Sequence, residues 1–297
     1  MTPQELTRWL AERPRVLDGA MGSELLRRGV RSAATLWGVG ALLEAPETVS
    51  KLHADYREAG AEMLTAATFR VAPYSLRKAS LEERARELAR LAVSLARGAA
   101  VPGGRSPLVA AAMTSLEDCY RPDLVPDEAT LTREHTATAQ LLAGAQPDLL
   151  LLETFNTVRE ARAATVAAAA TGLAVVASFT CTTGGRLLSG EDAGEAATAL
   201  TLPGVAAVGV NCTRRVDILP ALLRVAEATP LPLVAYANDA WFDEESGFLA
   251  AGPTSPDEYA RCALAWVAAG VRLIGGCCGT GPAHVAALAG LLAGMAR

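Results

Sequence analysis

Several features that define specialised protein classes are scarce or missing in this sequence. Aromatic residues make up only 5% of its 297 residues, and the 27 lysines and arginines form no basic cluster against 32 acidic residues. Nucleic acid is therefore not an expected partner. The longest apolar stretch, near residues 161–177, is interrupted by Arg162, Thr165, Thr171 and Gly172, so we expect no membrane span.

The cysteines form no familiar structural pattern. Six cysteines in a chain of this length do not make a small disulfide framework, and the CxxC pair of a structural zinc ribbon is missing. Residues 1–15 are polar and amphipathic, unlike a secretion signal. We expect a soluble, cytoplasmic protein with reduced thiols.

What the sequence does contain is a regular alternation of apolar runs with longer helical stretches. Hydrophobic residues make up 51% of the chain, which is enough for a large core. The alternation favours βα units around a parallel sheet, and eight runs predict an α/β fold of the (β/α)8 TIM barrel type, a single domain over residues 1–297. The predicted strands are residues 15–17, 61–66, 107–112, 148–152, 174–179, 205–210, 231–237 and 271–275.

A helix is predicted before the first strand. Residues 2–12 place Leu6, Trp9 and Leu10 on one face, with Thr2 as the N-cap and Pro3 in the first turn. This helix either closes the bottom of the barrel or lies on its surface.

Cysteines follow two of the predicted strands. Cys212 comes after the sixth, and Cys277 and Cys278 come after the eighth. Because the C-terminal ends of parallel barrel strands open onto one face, residues that are distant in sequence become neighbours there. Three thiolates at that face would make a zinc site with one open coordination position, which is typical of catalytic zinc.

Three sulfur ligands would make the zinc electron-rich. The expected use of such an ion is to bind an external thiol and hold it as a thiolate at neutral pH, which implies S-alkylation. Adjacent side chains on a regular strand point to opposite faces. Cys277 and Cys278 can both reach one ion only if the neighbouring glycines let the backbone leave strand geometry. The alternative is that all three are buried free cysteines, which are common in apolar strands.

Five stretches of the chain resemble the homocysteine S-methyltransferases, a family that includes enzymes using S-methylmethionine or betaine. They occur in family order across nearly the whole chain, and GVNC followed by GGCC is the most specific part. The stretches are LDGAMGSELLRRG at 17–29, LW and PETVSKLHADYREAGAEMLTAATFR within 36–70, LLLETF at 150–155, GVNC at 209–212 and LIGGCCGTGPAHV at 273–285.

The resemblance implies roles for individual residues. Cys212, Cys277 and Cys278 would bind Zn2+, with the homocysteine sulfur as the fourth ligand. Asp18 and Glu153 would hold the amino group of homocysteine, an electrostatically sensible pairing. The other implied substrate contacts are the backbone amides of Gly19, Ala20 and Met21, for the carboxylate, and Asn211, in support.

Some candidates have a second interpretation. Asp18 could cap the following helix, whereas Glu153 within a run of leucines is hard to explain structurally. Thr65 and Thr68 either line the substrate pocket or are ordinary strand residues. The family often has a second glycine where this chain has Ala20. The remaining histidines and cysteines are expected not to be metal ligands: His53, His135, His284, Cys119, Cys181 and Cys262.

The methyl donor is expected to bind at two long loops. A positively charged sulfonium or ammonium group favours aromatic faces and nearby acids. The candidates on these loops are Glu117, Asp118, Tyr120, Trp241 and Phe242.

We therefore predict direct transfer of a methyl group from an onium donor, S-methylmethionine or S-adenosylmethionine first, to zinc-bound L-homocysteine, giving methionine. Betaine, dimethylsulfoniopropionate, methylfolate or a methyl-corrinoid partner could replace the donor, and selenocysteine or another thiol could replace the acceptor. A non-enzymatic zinc-storing or redox-sensing barrel is the remaining alternative. The protein could form a homo-oligomer, and Asn211, a water or a loop residue could be the fourth ligand of the resting metal.

Overall fold

A computed structural model describes residues 1–30, 37–100, 106–243, 247–251 and 254–295, with 240–243 and 247–251 described by their backbone only. Eight of its strands lie in one parallel sheet. We number them β1 Arg15–Val16, β2 Met63–Ala66, β3 Leu108–Met113, β4 Leu149–Phe155, β5 Ala174–Phe179, β6 Val205–Arg214, β7 Leu233–Asn238 and β8 Val271–Gly276.

The sheet closes on itself. Strands β1 and β8 are paired neighbours, the remaining order runs β7, β6, β5, β4, β3 and β2, and a parallel bridge between Leu17 and Met63 joins β1 to β2. The Asp18 amide donates to the Met63 carbonyl at 3.1 Å, and the Glu62 amide donates to the Val16 carbonyl at 2.8 Å. The predicted (β/α)8 TIM barrel is confirmed.

Helices cover the outside of the barrel. Strands such as β4 and β5 are buried along their whole length, because a parallel sheet packs its outer face against helices and its inner face against itself. The described α-helices are α1 Pro3–Glu12, α2 Gly22–Arg27, α3 Val39–Glu44, α4 Pro46–Glu58, α5 Pro73–Arg77, α6 Ala85–Arg97, α7 Glu128–Ala143, α8 Val158–Ala169, α9 Ala193–Leu200, α10 Arg215–Ala228, α11 Pro256–Ala268 and α12 Pro282–Met295.

Helix α1 closes the bottom of the barrel. Thr2 caps it through a capping box with Glu5, as the sequence predicts for its N-terminus. Leu6 and Leu10 are fully buried and join the apolar cluster that fills the barrel interior. The alternative of a simple surface helix is therefore wrong.

The loops after β5 and β7, at the opposite end, each contain a short antiparallel hairpin. One pairs Cys181–Thr182 with Arg186–Leu187, and the other pairs Ala240–Asp243 with Gly247–Ala251. Within the described part of the chain, no helix has the length and hydrophobicity that a membrane crossing requires.

Candidate active site at the C-terminal end of the barrel

Three cysteine thiols meet at the C-terminal ends of β6 and β8. The sulfur atoms of Cys212, Cys277 and Cys278 all lie within 4.8 Å of one another, and Cys212 Sγ lies 4.0 Å from Cys278 Sγ. Among the described residues this is the one cluster of three or more potential metal ligands found. The alternative of three separate buried cysteines does not account for this convergence.

The backbone leaves strand geometry where the cysteine pair begins, as predicted. Strand β8 ends at Gly276, and the next turn is closed by the Thr280 amide, which donates to the Cys277 carbonyl at 3.0 Å. A side chain at Gly276 would meet Thr280 Oγ1 at 2.2 Å. The absence of that side chain allows Thr280 to fold back and both neighbouring cysteines to face one point.

This donor set fits a metal such as zinc. A tetrahedral ion with zinc–sulfur bonds of about 2.3 Å separates its sulfur ligands by roughly 3.8 Å, close to the 4.0 Å between Cys212 and Cys278. Hydrogen bonds from Cys277 and then Cys278 lower the pKa of Cys212, although burial opposes this. The pKa values of Cys277 and Cys278 are raised, in each case first by the hydrogen bond to Cys212. The three thiols therefore titrate as one coupled cluster.

Two buried carboxyl groups share the pocket with the thiols. Burial raises the pKa of Asp18 to about 7, against two hydrogen bonds from Thr65 that lower it. Burial and then the charge of Cys212 raise the pKa of Glu153 to about 8. Neither acid forms an ion pair with a basic side chain in the described structure. A buried carboxylate without a cation is costly, so this pocket favours a positively charged ligand group.

The possibility that Asp18 caps the following helix is wrong. Its carboxylate accepts from the Thr65 amide at 2.6 Å and from the Thr65 hydroxyl at 2.9 Å. The N-cap of α2 is Met21, which makes no side-chain cap. Thr65 thus lines the pocket and holds the acid at the end of β1.

Asn211, which precedes Cys212, is bonded to the end of β4 beside Glu153. Its Oδ1 accepts from the Thr154 amide and the Ser178 hydroxyl, each at 2.8 Å, and its Nδ2 donates to Thr154 Oγ1 at 2.8 Å. Thr154 and Cys212 have φ values of 64° and 48°, which are strained for residues other than glycine. Asn211 is fully buried and is not among the residues that line the pocket; its bonds fix Thr154, the residue after Glu153.

Sequence comparison identifies the group of proteins to which this site belongs. A sequence model described as homocysteine S-methyltransferase matches residues 15–292. The chain belongs to this family. It is 34% identical to homocysteine S-methyltransferase 4 of Zea mays, over 92% of this chain and 88% of that protein. It is 32% identical to the homocysteine S-methyltransferase of Escherichia coli, over 92% and 93%.

A solved relative extends this comparison to the structure. The metallated form of the homocysteine methyltransferase MmuM from Escherichia coli superimposes with a TM-score of 0.83 at 31% identity, covering 96% of this chain and 99% of that one. The homocysteine S-methyltransferase family thus contains a metallated member with this fold, and the present chain has three cysteines that fit a metal.

The other residues that were predicted to contact the substrate fall into two groups. Gly19, Ala20 and Met21 line the pocket, and the Ala20 amide donates to Thr280 Oγ1 at 3.3 Å. Thr68 does not line the pocket. Its hydroxyl accepts from the Ala112 amide at 2.7 Å and donates to the Ala112 carbonyl at 3.1 Å, so it ties the end of β3 to the loop after β2.

The predicted donor residues are dispersed. Tyr120 reaches the metal site, where its hydroxyl lies 3.0 Å from Cys212 Sγ. Glu117 instead accepts from Lys78 Nζ at 2.6 Å and from the Tyr74 hydroxyl at 2.5 Å. Asp118 is exposed and accepts from the Tyr120 amide at 2.9 Å. Trp241 and Phe242 lie on the hairpin strand Ala240–Asp243, and their side chains fall outside the described residues.

Two aromatic residues of the pocket were not predicted from the sequence. Trp37 and Phe69 line the pocket together with the thiols and the two acids. A side chain at Gly22 would lie 2.0 Å from the Trp37 ring, so this glycine lets the ring pack against the start of α2. Both aromatic residues lie within the LW and TAATF stretches that carry the resemblance, which was the available signal.

Proposed function

We propose that this protein is a zinc-dependent homocysteine S-methyltransferase that uses a sulfonium donor, S-methylmethionine or S-adenosylmethionine. Homocysteine and the donor are its small-molecule substrates, and methionine is the product. The domain assignment of residues 1–297 is part of the proposal, as is a cytoplasmic location. All six cysteines are free, as is usual for proteins of a reducing compartment. A homo-oligomer stays a prediction.

One observation carries the proposal: the three thiols, Asp18 and Glu153 line the same pocket. The pocket is concave and combines apolar walls with a few polar groups, as small-molecule sites do. A ligand that pairs with the two acids and also binds a metal held by the three thiols needs a positive charge and a sulfur atom. Homocysteine has an ammonium group at one end and a thiol at the other.

Asp18 and Glu153 would hold the ammonium group, and amides near Gly19–Met21 would meet the carboxylate. Three cysteines would hold zinc, which when bound supplies the Lewis acidity that keeps the substrate sulfur deprotonated. An electron pair of that sulfur then forms a bond to the methyl carbon while the carbon–sulfur bond of the donor breaks. The leaving group is a neutral thioether, so the transfer itself requires no proton. Alignment of the two reactants supplies the rest of the rate enhancement.

The donor would enter from the mouth of the pocket. Trp37 and Phe69 line the pocket, and aromatic faces attract sulfonium and quaternary ammonium groups. Arg70 already lies over the Phe69 ring, 5.2 Å from its centroid. Both rings are candidates for contact with the donor cation.

The first test combines metal content with methionine formation. The purified protein is assayed with homocysteine and each of S-methylmethionine, S-adenosylmethionine, betaine, dimethylsulfoniopropionate and methylfolate. We expect about one zinc per chain and methionine from a sulfonium donor. Cys277→Ser should lose both, whereas Cys262→Ser, which changes a cysteine on α11 beside Arg215, should keep both. A zinc-containing protein that makes no methionine from any donor would refute the assigned reaction.

A further inference from the structure

The Tyr120 hydroxyl makes a contact that the proposed reaction does not use. It lies 3.0 Å from Cys212 Sγ, within hydrogen-bond distance for a sulfur atom. Either atom can donate while Cys212 is a thiol. Once Cys212 is a thiolate it can only accept, so Tyr120 must then be the donor.

The loop that carries Tyr120 is fixed by side chains from two other parts of the barrel. Arg70 Nη1 donates to the Ser115 and Glu117 carbonyls at 2.9 and 3.0 Å. Asn156 Nδ2 donates to the Cys119 carbonyl at 3.0 Å. These bonds come from the loops after β2 and β4, so they hold the segment from both sides.

A buried acid provides a third anchor. Glu160 of α8 is fully buried and accepts from the Leu116 amide at 2.7 Å. His135 of α7 lies 3.2 Å from the same carboxylate oxygen, so the anchor is itself braced. Although Tyr120 is 41% exposed, the backbone that positions its hydroxyl over Cys212 is held by bonds within the protein itself.

This arrangement bears on a selectivity problem in the proposed reaction. With homocysteine bound, four thiolates would surround one ion, and each could attack a methyl donor. Only attack by the substrate sulfur gives methionine, whereas attack by a cysteine sulfur would methylate the enzyme. A hydrogen bond to a thiolate stabilises its charge and lowers its nucleophilicity, and groups beyond the ligands commonly tune a metal site in this way.

We propose that Tyr120 donates a hydrogen bond to the metal-bound thiolate of Cys212 and so protects that sulfur from methylation in competition with the substrate sulfur. This inference rests on the proposed function and assigns Tyr120 the role of a positioning and tuning residue. It replaces the expectation that Tyr120 acts mainly as a donor-binding aromatic face.

The test measures methylation of the cysteines themselves. Zinc-loaded protein without homocysteine is treated with iodomethane, and the methylated fraction of each cysteine is followed over time by peptide mass spectrometry. In this step the Cys212 sulfur bonds to the methyl carbon while the carbon–iodine bond breaks and iodide leaves. Tyr120→Phe keeps the ring and removes the hydroxyl. Tyr74→Phe is the matched control, because Tyr74 bonds Glu117 and not the thiols.

We expect Tyr120→Phe to raise the rate at Cys212, relative to Cys278 in the same sample, by about 10-fold or more, the usual effect of a hydrogen bond to a charged group. Tyr74→Phe should leave that ratio unchanged. Equal ratios in wild type and Tyr120→Phe, or the same rise in both variants, would overturn the proposal.

A second readout does not depend on alkylation. In protein loaded with Co2+, the sulfur-to-metal charge-transfer absorption should move to lower energy in Tyr120→Phe, because an unbonded thiolate donates more strongly. An unchanged band would count against the hydrogen bond. Neither experiment uses homocysteine or a natural donor. Failure of the methionine assay and failure of this inference are thus distinguished.

Discussion

The two ends of the barrel are built from the same eight strands but are filled in opposite ways. At the bottom, Leu6 and Leu10 of α1 pack onto fully buried apolar side chains such as Leu149 and Val176. At the top, the described pocket contains two buried acids and three thiols, and Thr154 and Cys212 hold strained backbone conformations.

This difference places side chains that stabilise the fold at the bottom and chemically reactive side chains at the top. At the bottom, apolar residues meet apolar residues and helix α1 is capped. The top departs from this pattern, and left-handed conformations of this kind cost about 1 to 3 kcal/mol each. Such a cost persists only where surrounding structure holds it, here the bonds from Asn211 to Thr154. In a TIM barrel the C-terminal end carries the reaction and the opposite end carries stability.

The largest expected effect comes from Glu153→Gln at the top. Loss of the carboxylate leaves the substrate ammonium with a neutral partner, so kcat/KM for homocysteine should fall by about 100-fold or more, as when a buried ion pair is broken. The zinc content and the thermal midpoint should not fall. Steady-state kinetics beside Glu195→Gln, an exposed acid on α9, checks this. Equal kinetics in the two variants would exclude the ammonium contact.

Leu10→Ala tests the other end. Removing a fully buried leucine should lower the free energy of unfolding by about 2 to 5 kcal/mol. The KM for homocysteine and the metal content of the folded protein should stay at wild-type values. Urea unfolding compares it with Leu264→Ala, which changes a leucine that is 41% exposed. A marked rise in KM for Leu10→Ala would show that the two ends are not independent.

His53 shows that a buried polar side chain without a hydrogen-bond partner also occurs in the helical layer, away from the top of the barrel. It is fully buried, and neither ring nitrogen has a hydrogen-bond partner in the described structure. Burial lowers its pKa to about 4. Because the unfolded chain takes up a proton near pH 6.5 and the folded protein does not, this residue should remove about 3 kcal/mol of stability as pH falls from 6.5 to 4.

Urea unfolding of wild type and His53→Gln across that pH range isolates the effect, since the other titrating groups are shared. The wild-type free energy should fall more steeply with acidification. Parallel curves would mean that His53 is protonated in the folded protein.

Asn211→Ala addresses the strained turn and carries the smallest expected effect. It removes three hydrogen bonds beside Glu153 and Cys212, and metal affinity measured by chelator competition should fall by about 10- to 100-fold. Adding Thr154→Gly should restore part of the affinity, because glycine adopts a positive φ without strain. If the second change gives no recovery, Asn211 acts through Ser178 and not through the turn.

The sequence predicted more of the fold than of the site. Each barrel strand was found within a few residues, since a buried parallel strand appears as an apolar run. The thiol cluster was also predicted, because the C-terminal ends of the barrel strands open onto one face. Strand β4 extends to Phe155 and β6 to Arg214, beyond the predicted ends, because pairing resumes after an irregularity in each strand.

The misplaced residues share a physical cause. Thr68 was predicted either to line the pocket or to be an ordinary strand residue, and Glu117 was a candidate donor contact, but each is held by a partner distant in sequence, Ala112 and Lys78. Composition shows which residues could bind a cation. It does not show which of them already have a closer partner.

By itself the sequence determined the βα alternation, the capped first helix and the convergence of three thiols, because these follow from local periodicity and from the common face onto which barrel strands open. Only the tertiary structure decided that Asp18 faces Thr65, that Trp37 joins the pocket and that the Tyr120 hydroxyl meets Cys212. Those contacts join residues tens of positions apart. They depend on how loops are anchored across neighbouring strands, which no local pattern encodes.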